Sequence, residues 1–223
     1  MKKQTLIIVL LLIGLQTILG QTTEQQRRAD AYYQNQQSRE QKSKSWNWLF
    51  NSSNTKSNYS KNNLVKWEYK DGGWYTGQIN SSEYVSGFGT TKYADNNSYY
   101  SGQFFDGRKN GIGAYFWASG SKFFGMYKND SITGLGIYIW SDNSIYNGYW
   151  KNHKREGFGI NEWINGNHDD KTLIKYVGEH KNNIRHGYGI KYYKNGTYKS
   201  GIWIDDVLSK ELSKLEVLEA LGF

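Results

Sequence analysis

From Leu64 onward the chain alternates apolar and polar positions with a period of two, the pattern of half-buried β-strands. Trp67 and Tyr69 alternate with polar neighbours, and Asp71-Gly72-Gly73 is a hairpin turn signal. Tyr100, Gly102 and Phe104 form an aromatic–x–Gly–x–aromatic step, followed by a polar turn at Phe105–Asn110. Gly111-Ile112-Gly113, Tyr115 and Trp117 make a second step and end in a turn at Ser119-Gly120. Phe123, Gly125 and Tyr127 begin the cycle again. Each cycle predicts two short antiparallel strands, with Asn, Asp and Gly at turns that need positive φ, as in Asp95-Asn96-Asn97, Asp142-Asn143 and Asn195-Gly196.

The cycle is periodic. Its first glycine recurs at Gly77, Gly102, Gly125, Gly148, Gly178 and Gly201, at intervals of 25, 23, 23, 30 and 23 residues. The Gly-x-Gly pairs keep step at Gly87/Gly89, Gly111/Gly113, Gly134/Gly136, Gly157/Gly159 and Gly187/Gly189. So do the opening aromatics Tyr75, Tyr100, Phe123, Tyr146 and Tyr176, and the closing aromatics Tyr93, Trp117, Trp140, Trp163 and Tyr193. A fixed period of this length is the mark of a repeat architecture. The longer interval predicts an enlarged loop around Asn165–Asp170.

Residues two apart share a strand face. The glycines therefore lie on the same face as the aromatics, and glycine inside a strand implies that something approaches closely. We expect aromatic rings to lie over these glycines, burying large side chains in a sheet that has no second layer. The opposite face carries its own stripe: Phe88, Ile112, Leu135, Phe158 and Tyr188 sit between the paired glycines, and Ile137, Ile139, Ile160 and Ile190 extend it. Two accounts of this stripe stand together, cover by other parts of the chain and use as a binding or dimerising surface.

The two ends read differently. Residues 1–20 are a secretory leader, with Lys2-Lys3 before the apolar run Leu6–Leu15; cleavage is expected rather than an uncleaved anchor, because the run is short for a bilayer span. Residues 21–63 are a polar low-complexity linker, interrupted by Trp46, Trp48, Leu49 and Phe50, a cluster expected to dock on the sheet. Residues 64–204 are the repeat domain. Residues 205–223 predict an amphipathic capping helix with Val207, Leu208, Leu212, Leu215 and Leu218 on one side, capped by Asp205-Asp206. A partner-binding helix is the sharper alternative.

Tyr-x-Gly-x-Trp/Phe, then Gly-x-Gly-x-Tyr, then Asp/Asn-Gly, at this spacing, resembles the MORN repeat (membrane occupation and recognition nexus). The resemblance covers roughly Trp67 to Trp203. Ile79 and His180 stand where an aromatic is usual, and Lys199 replaces the opening tyrosine of the last unit. The resemblance implies an all-β fold, an elongated single-layer antiparallel sheet of repeated hairpins. It also implies a non-catalytic scaffold for protein–protein contact, homodimerisation or membrane association, without a cofactor.

Composition narrows the chemistry. Aromatics make up 17% of the chain, glycine numbers 25, and proline and cysteine are absent. There is thus no disulfide framework, thiol nucleophile or cysteine metal site. The four histidines, His153, His168, His180 and His186, lack metal-ligand spacing, and no nucleophile–base set stands out. No Gly-x-Gly pair opens a helix, so none reads as a phosphate loop. The net charge of +8 is modest and selects no single anionic partner; a nucleic-acid partner is not expected. Arg108, Lys109, Lys151, Lys154, Arg155, Lys181 and Arg185 fall at matching turns. If they line one edge, they make a candidate contact for anionic lipid headgroups or glycans, set against an ordinary soluble edge that blocks sheet aggregation. Two functional readings follow: a secreted or lumenal protein-binding scaffold, or a peripheral binder of anionic membrane or polysaccharide.

Overall fold

A computed structural model describes residues 64–94, 97–167 and 169–223. The leader, the linker and the Trp46–Phe50 cluster lie outside the described residues. The described chain forms one antiparallel sheet of 13 strands in strict sequence order. The strands are β1 (Leu64–Glu68), β2 (Trp74–Ile79), β3 (Val85–Lys92), β4 (Tyr99–Phe105), β5 (Arg108–Phe116), β6 (Lys122–Lys128) and β7 (Ser131–Ile139). They continue as β8 (Ile145–Lys151), β9 (Lys154–Glu162), β10 (Leu173–Lys181), β11 (Ile184–Tyr193), β12 (Tyr198–Ile204) and β13 (Val207–Glu211), followed by the helix α1 (Lys214–Ala220). The enlarged loop falls between β9 and β10, as the spacing predicts.

Register turns the separate glycine phases into one line. Gly77, Gly89, Gly102, Gly113, Gly125, Gly136, Gly148, Gly159, Gly178, Gly189 and Gly201 pair strand to strand from β2 to β12, a single file of glycines across the sheet. Each opening aromatic lies over two of them. A side chain at Gly113 would collide with the Tyr100 ring, and the same ring blocks Gly102 from its own strand. Tyr75, Phe123, Tyr146 and Tyr176 cover the other pairs in the same way, and all five rings are essentially fully buried.

Between these rings stand the aromatics two residues past each first glycine. Tyr75, Phe104, Tyr100, Tyr127, Phe123, Trp150, Tyr146, His180, Tyr176 and Trp203 meet successively edge to face, with centroids 5.0–6.2 Å apart and planes 82–90° apart. This herringbone is the core. Each edge-to-face pair contributes about 1 kcal/mol beyond area burial.

The first glycine of each pair has a different task. Gly111 has φ of 100°, in the left-handed region, and marks a β-bulge where β4 and β5 shift register. A side chain there would strike Gln103, not the Tyr100 ring. The expectation that Gly111 and Gly113 share one environment is therefore corrected: the bulge turns Gly111 away. The bulge frees backbone groups, and side chains recover them. The Gln103 carboxamide oxygen accepts from the Ile112 N–H at 2.8 Å, and the Tyr100 hydroxyl donates to the Gln103 carbonyl at 2.9 Å. Gln78 and Glu179 repeat the first bond, and Tyr75, Tyr146 and Tyr176 the second. Burial pushes these tyrosine hydroxyls upward in pKa, so they remain protonated donors.

The turns tie successive hairpins together. Asp130, Asn183 and Asp206 each occupy the second turn position with positive φ. Each donates its N–H to a carbonyl of the previous hairpin, at Lys109, Arg155 and Arg185, and accepts the N–H of that same residue on its side chain. Asp205-Asp206 is consequently a hairpin turn and not a helix cap, which corrects the predicted start of the terminal helix. Val207 and Leu208 belong to β13. The helix begins seven residues later, at a Ser213/Glu216 capping box. Its Val217, with Leu221, Leu218 and Phe223, packs on the second face against Phe158, Tyr188, Ile190 and Tyr192. Leu215 points to solvent.

Two expectations follow from the herringbone. Phe123 is the one opening aromatic without a hydroxyl, so Phe123→Tyr should gain the bond made in the other four units. We expect a stabilisation of about 1 kcal/mol, read as a rise in chemical-denaturation midpoint; a loss of stability would contradict the hydroxyl's role. His180 is fully buried, and desolvation, then Arg155 and Arg185, hold its pKa well below the ordinary value. Its Nε2 lies 3.1 Å from the Asn161 amide oxygen, which accepts and so fixes the neutral Nε2–H tautomer. A depressed folded pKa gives stability that is complete above the unfolded value near 6.5 and declines below it, by up to about 1.4 kcal/mol per pH unit. His180→Phe should shrink the stability difference between pH 7.5 and pH 5; an unchanged difference would count against the buried neutral imidazole.

Candidate functional site: an aromatic ladder and a turn edge

On the ring face, alongside the buried herringbone, runs a second set of rings that is only partly buried. Tyr93, Tyr115, Trp117, Tyr138 and Trp140 are all half-buried. Tyr93 stacks on Tyr115 at 5.7 Å, Tyr115 meets Trp117 at 4.4 Å, Trp117 meets Tyr138 at 5.1 Å, and Tyr138 meets Trp140 at 4.7 Å. Alternation dictates this placement: Tyr115 and Tyr138 lie two residues past Gly113 and Gly136, and Trp117 and Trp140 two further on. The turns that follow are fixed by bonds such as Gly120 N–H to the Trp117 carbonyl at 2.9 Å. The ladder is thus held on a rigid frame. It offers flat, apolar, π-faced contact along roughly four strand spacings, about 19 Å.

The ladder ends where the repeat departs from its pattern. Asn161 occupies the place of Tyr115 and Tyr138, and it binds His180 and the Arg155 guanidinium at 3.2 Å. Lys191 takes the corresponding place in the next unit and lies over Trp203 at 4.2 Å from the ring centroid. Burial holds its pKa down to about 8. In this stretch the ladder's places are taken by polar residues that pack on members of the herringbone.

The seven cations singled out in the sequence do sit at matching turns of one edge, but they divide into two groups. Lys109, Arg155 and Arg185 turn inward. The Lys109 ammonium lies 3.2 Å from the Tyr93 hydroxyl and 3.4 Å from Asp130, within 5.8 Å of the Tyr93, Tyr100 and Tyr115 ring centroids. Arg155 covers Tyr146 and donates to the Asn183 carbonyl at 2.6 Å; burial lowers its pKa. Arg185 pairs with Asp206 at 2.5 Å and covers Tyr176. These three close the herringbone by cation–π contact. Arg108, Lys151, Lys154 and Lys181 remain exposed. On the same edge Asp106, Asp130, Asp205 and Asp206 stand among the cations of this row.

The glycines and aromatics of the repeat are accounted for as structure. Sequence reasoning missed the continuity of the exposed ladder, although Tyr93, Trp117 and Trp140 were visible as a recurring position; Tyr115 and Tyr138, two residues earlier, were the signal that linked them. His153 takes up a positive-φ turn position, and His168 lies outside the described residues. Among the described residues, no group of histidine, aspartate and glutamate is arranged to hold a metal ion, and no helix is long and apolar enough to cross a membrane.

Comparison with known proteins bears on this geometry. The MORN repeat family model matches residues 100–122, 123–145, 146–168 and 176–198. No curated protein matches the chain significantly. Among solved structures, the SAS-4 (dCPAP) TCP domain of Drosophila melanogaster, in complex with a proline-rich motif of Ana2 (dSTIL), is 14% identical. The match covers 62% of this chain and 71% of that one, with a TM-score of 0.37. The wild-type TCP10 domain of Danio rerio CPAP is 13% identical over 63% of this chain and 73% of that one, with a TM-score of 0.23. Superpositions this loose carry no argument. The four matched units coincide with successive hairpin periods of the sheet, each opening on the ring that covers its two glycines, and the chain carries four MORN repeats over residues 100–198.

Proposed function

We propose that the protein is a non-catalytic scaffold that binds a protein partner along the ladder Tyr93–Tyr115–Trp117–Tyr138–Trp140. The observation that carries this reading is the ladder itself: five rings in continuous contact, only partly buried and rigidly backed, where a soluble surface would ordinarily be polar. Tryptophan and tyrosine lose little conformational entropy on binding and are enriched among the few residues that dominate the energy of protein interfaces. The inward cations Lys109, Arg155 and Arg185 are engaged with rings and turn residues, and no nucleophile–base set stands out among the described residues. The leader-like residues 1–20 support an extracytoplasmic setting, secreted, periplasmic or lumenal.

A second reading, association with anionic lipid or glycan, draws support from the exposed trio Lys151, Lys154 and Lys181 on two adjacent turns. The aspartates along the same edge oppose it. A displayed-peptide selection on the full chain separates the two. Selected peptides should lose at least tenfold in affinity with Trp117→Ala/Trp140→Ala and change less than twofold with Lys151→Ala/Lys154→Ala/Lys181→Ala. The scaffold reading fails if no peptide depends on the tryptophans while phosphatidylglycerol vesicles bind in a salt-sensitive, lysine-dependent way.

A further inference from the structure

The second face of the sheet is covered over only half its length. At its C-terminal end, α1 and the residues after it close the apolar stripe: Phe158 is 6% exposed and Ile190 0%, with Phe223 5.5 Å from Phe158. Towards the N-terminal end the positions between the paired glycines are open. Phe88 is 53% exposed and Ile112 51%, with Met126 half-buried beside Ile112 on the neighbouring strand. Phe88, Ile112 and Phe158 hold the same place in the repeat, so the difference between them lies in what covers them. At the far end the cover is the chain's own terminal segment.

We propose that the segment Trp46–Phe50 covers the open half, packing on Phe88 and Ile112 as α1 packs on Phe158 and Ile190. Chain length and attachment support this occupant. Thirteen residues, 51–63, connect the cluster to β1, which is the end of the sheet nearest the open stripe. Extended, they span at most about 43 Å. From β1 to β5 is four strand spacings, about 19 Å, so the tether reaches without strain. Trp46, Trp48, Leu49 and Phe50 are the densest apolar group of an otherwise polar stretch, an apolar match for the open positions Phe88 and Ile112. Each end of the chain then shields one half of the same face, and the ring face is left for a partner.

The absence of cysteine makes the test clean. In the full chain, Trp48→Cys is paired with Ile112→Cys on the second face, or with Thr91→Cys on the ring face of β3 as a control. Mild oxidation at low micromolar concentration should give an intramolecular disulfide with position 112, at least fivefold faster than with position 91. A crosslink that forms mainly between chains, at a rate rising with concentration, would overturn the proposal in favour of a second copy. Equal rates at the two positions, or no crosslink, would overturn it outright. As a second readout, Trp46→Ser/Trp48→Ser/Phe50→Ser should raise dye binding by the folded protein at least twofold; unchanged binding would contradict the cover.

Discussion

One ring over two glycines is the constraint on which the sheet depends. A single-layer sheet has no opposing layer against which to bury side chains, and an isolated hairpin is marginal in water. Here the sheet buries rings against its own backbone. The glycine file leaves a groove one side chain deep across the strands, and Tyr75, Tyr100, Phe123, Tyr146 and Tyr176 lie in it. The intervening aromatics stand against their edges, so each hairpin needs its neighbour's ring as much as its own. Stability therefore propagates from unit to unit, as expected for a solenoid.

The bulges make this compatible with backbone satisfaction. Turning the first paired glycine into the left-handed region frees groups that Gln78, Gln103 and Glu179 recapture on one face and tyrosine hydroxyls on the other. Asp130, Asn183 and Asp206 then lock neighbouring turns. The same arrangement decides which side chains remain for function. Lys109, Arg155 and Arg185 are consumed in closing the core, and the half-exposed ladder is what the ring face presents outward. Three of the seven turn-edge cations are thus structural, and four stay exposed.

The period, the strand pairs and the proximity of rings to glycines were legible in the sequence, because alternation ties Tyr100 to Gly102 and Tyr115 to Gly113 without reference to other strands. The single glycine file was not. It requires Gly102 to face Gly113 and Gly113 to face Gly125, and the bulge that sets this register leaves only a glycine as its trace. The inward cations were illegible for a different reason: alternation puts Lys109 on the ring face, but only contacts with rings of neighbouring strands show its ammonium folded over Tyr93, Tyr100 and Tyr115. At the C-terminus, Asp205-Asp206 fits a helix cap and a hairpin turn equally well; the bond from the Arg185 N–H to Asp206 selects the turn. Local pattern carried the unit, and contacts between units carried the rest.

The central claim is tested most directly by a double-mutant cycle at Gly113 and Tyr100. The three atoms nearest a side chain at Gly113 all belong to the Tyr100 side chain, its hydroxyl oxygen and two ring carbons. Gly113→Ala should destabilise the wild-type protein by roughly 1–3 kcal/mol, as overpacking does, and cost little or nothing in a Tyr100→Leu background. Equal costs in the two backgrounds would mean that the ring and the glycine act independently, and the account of the fold would be wrong.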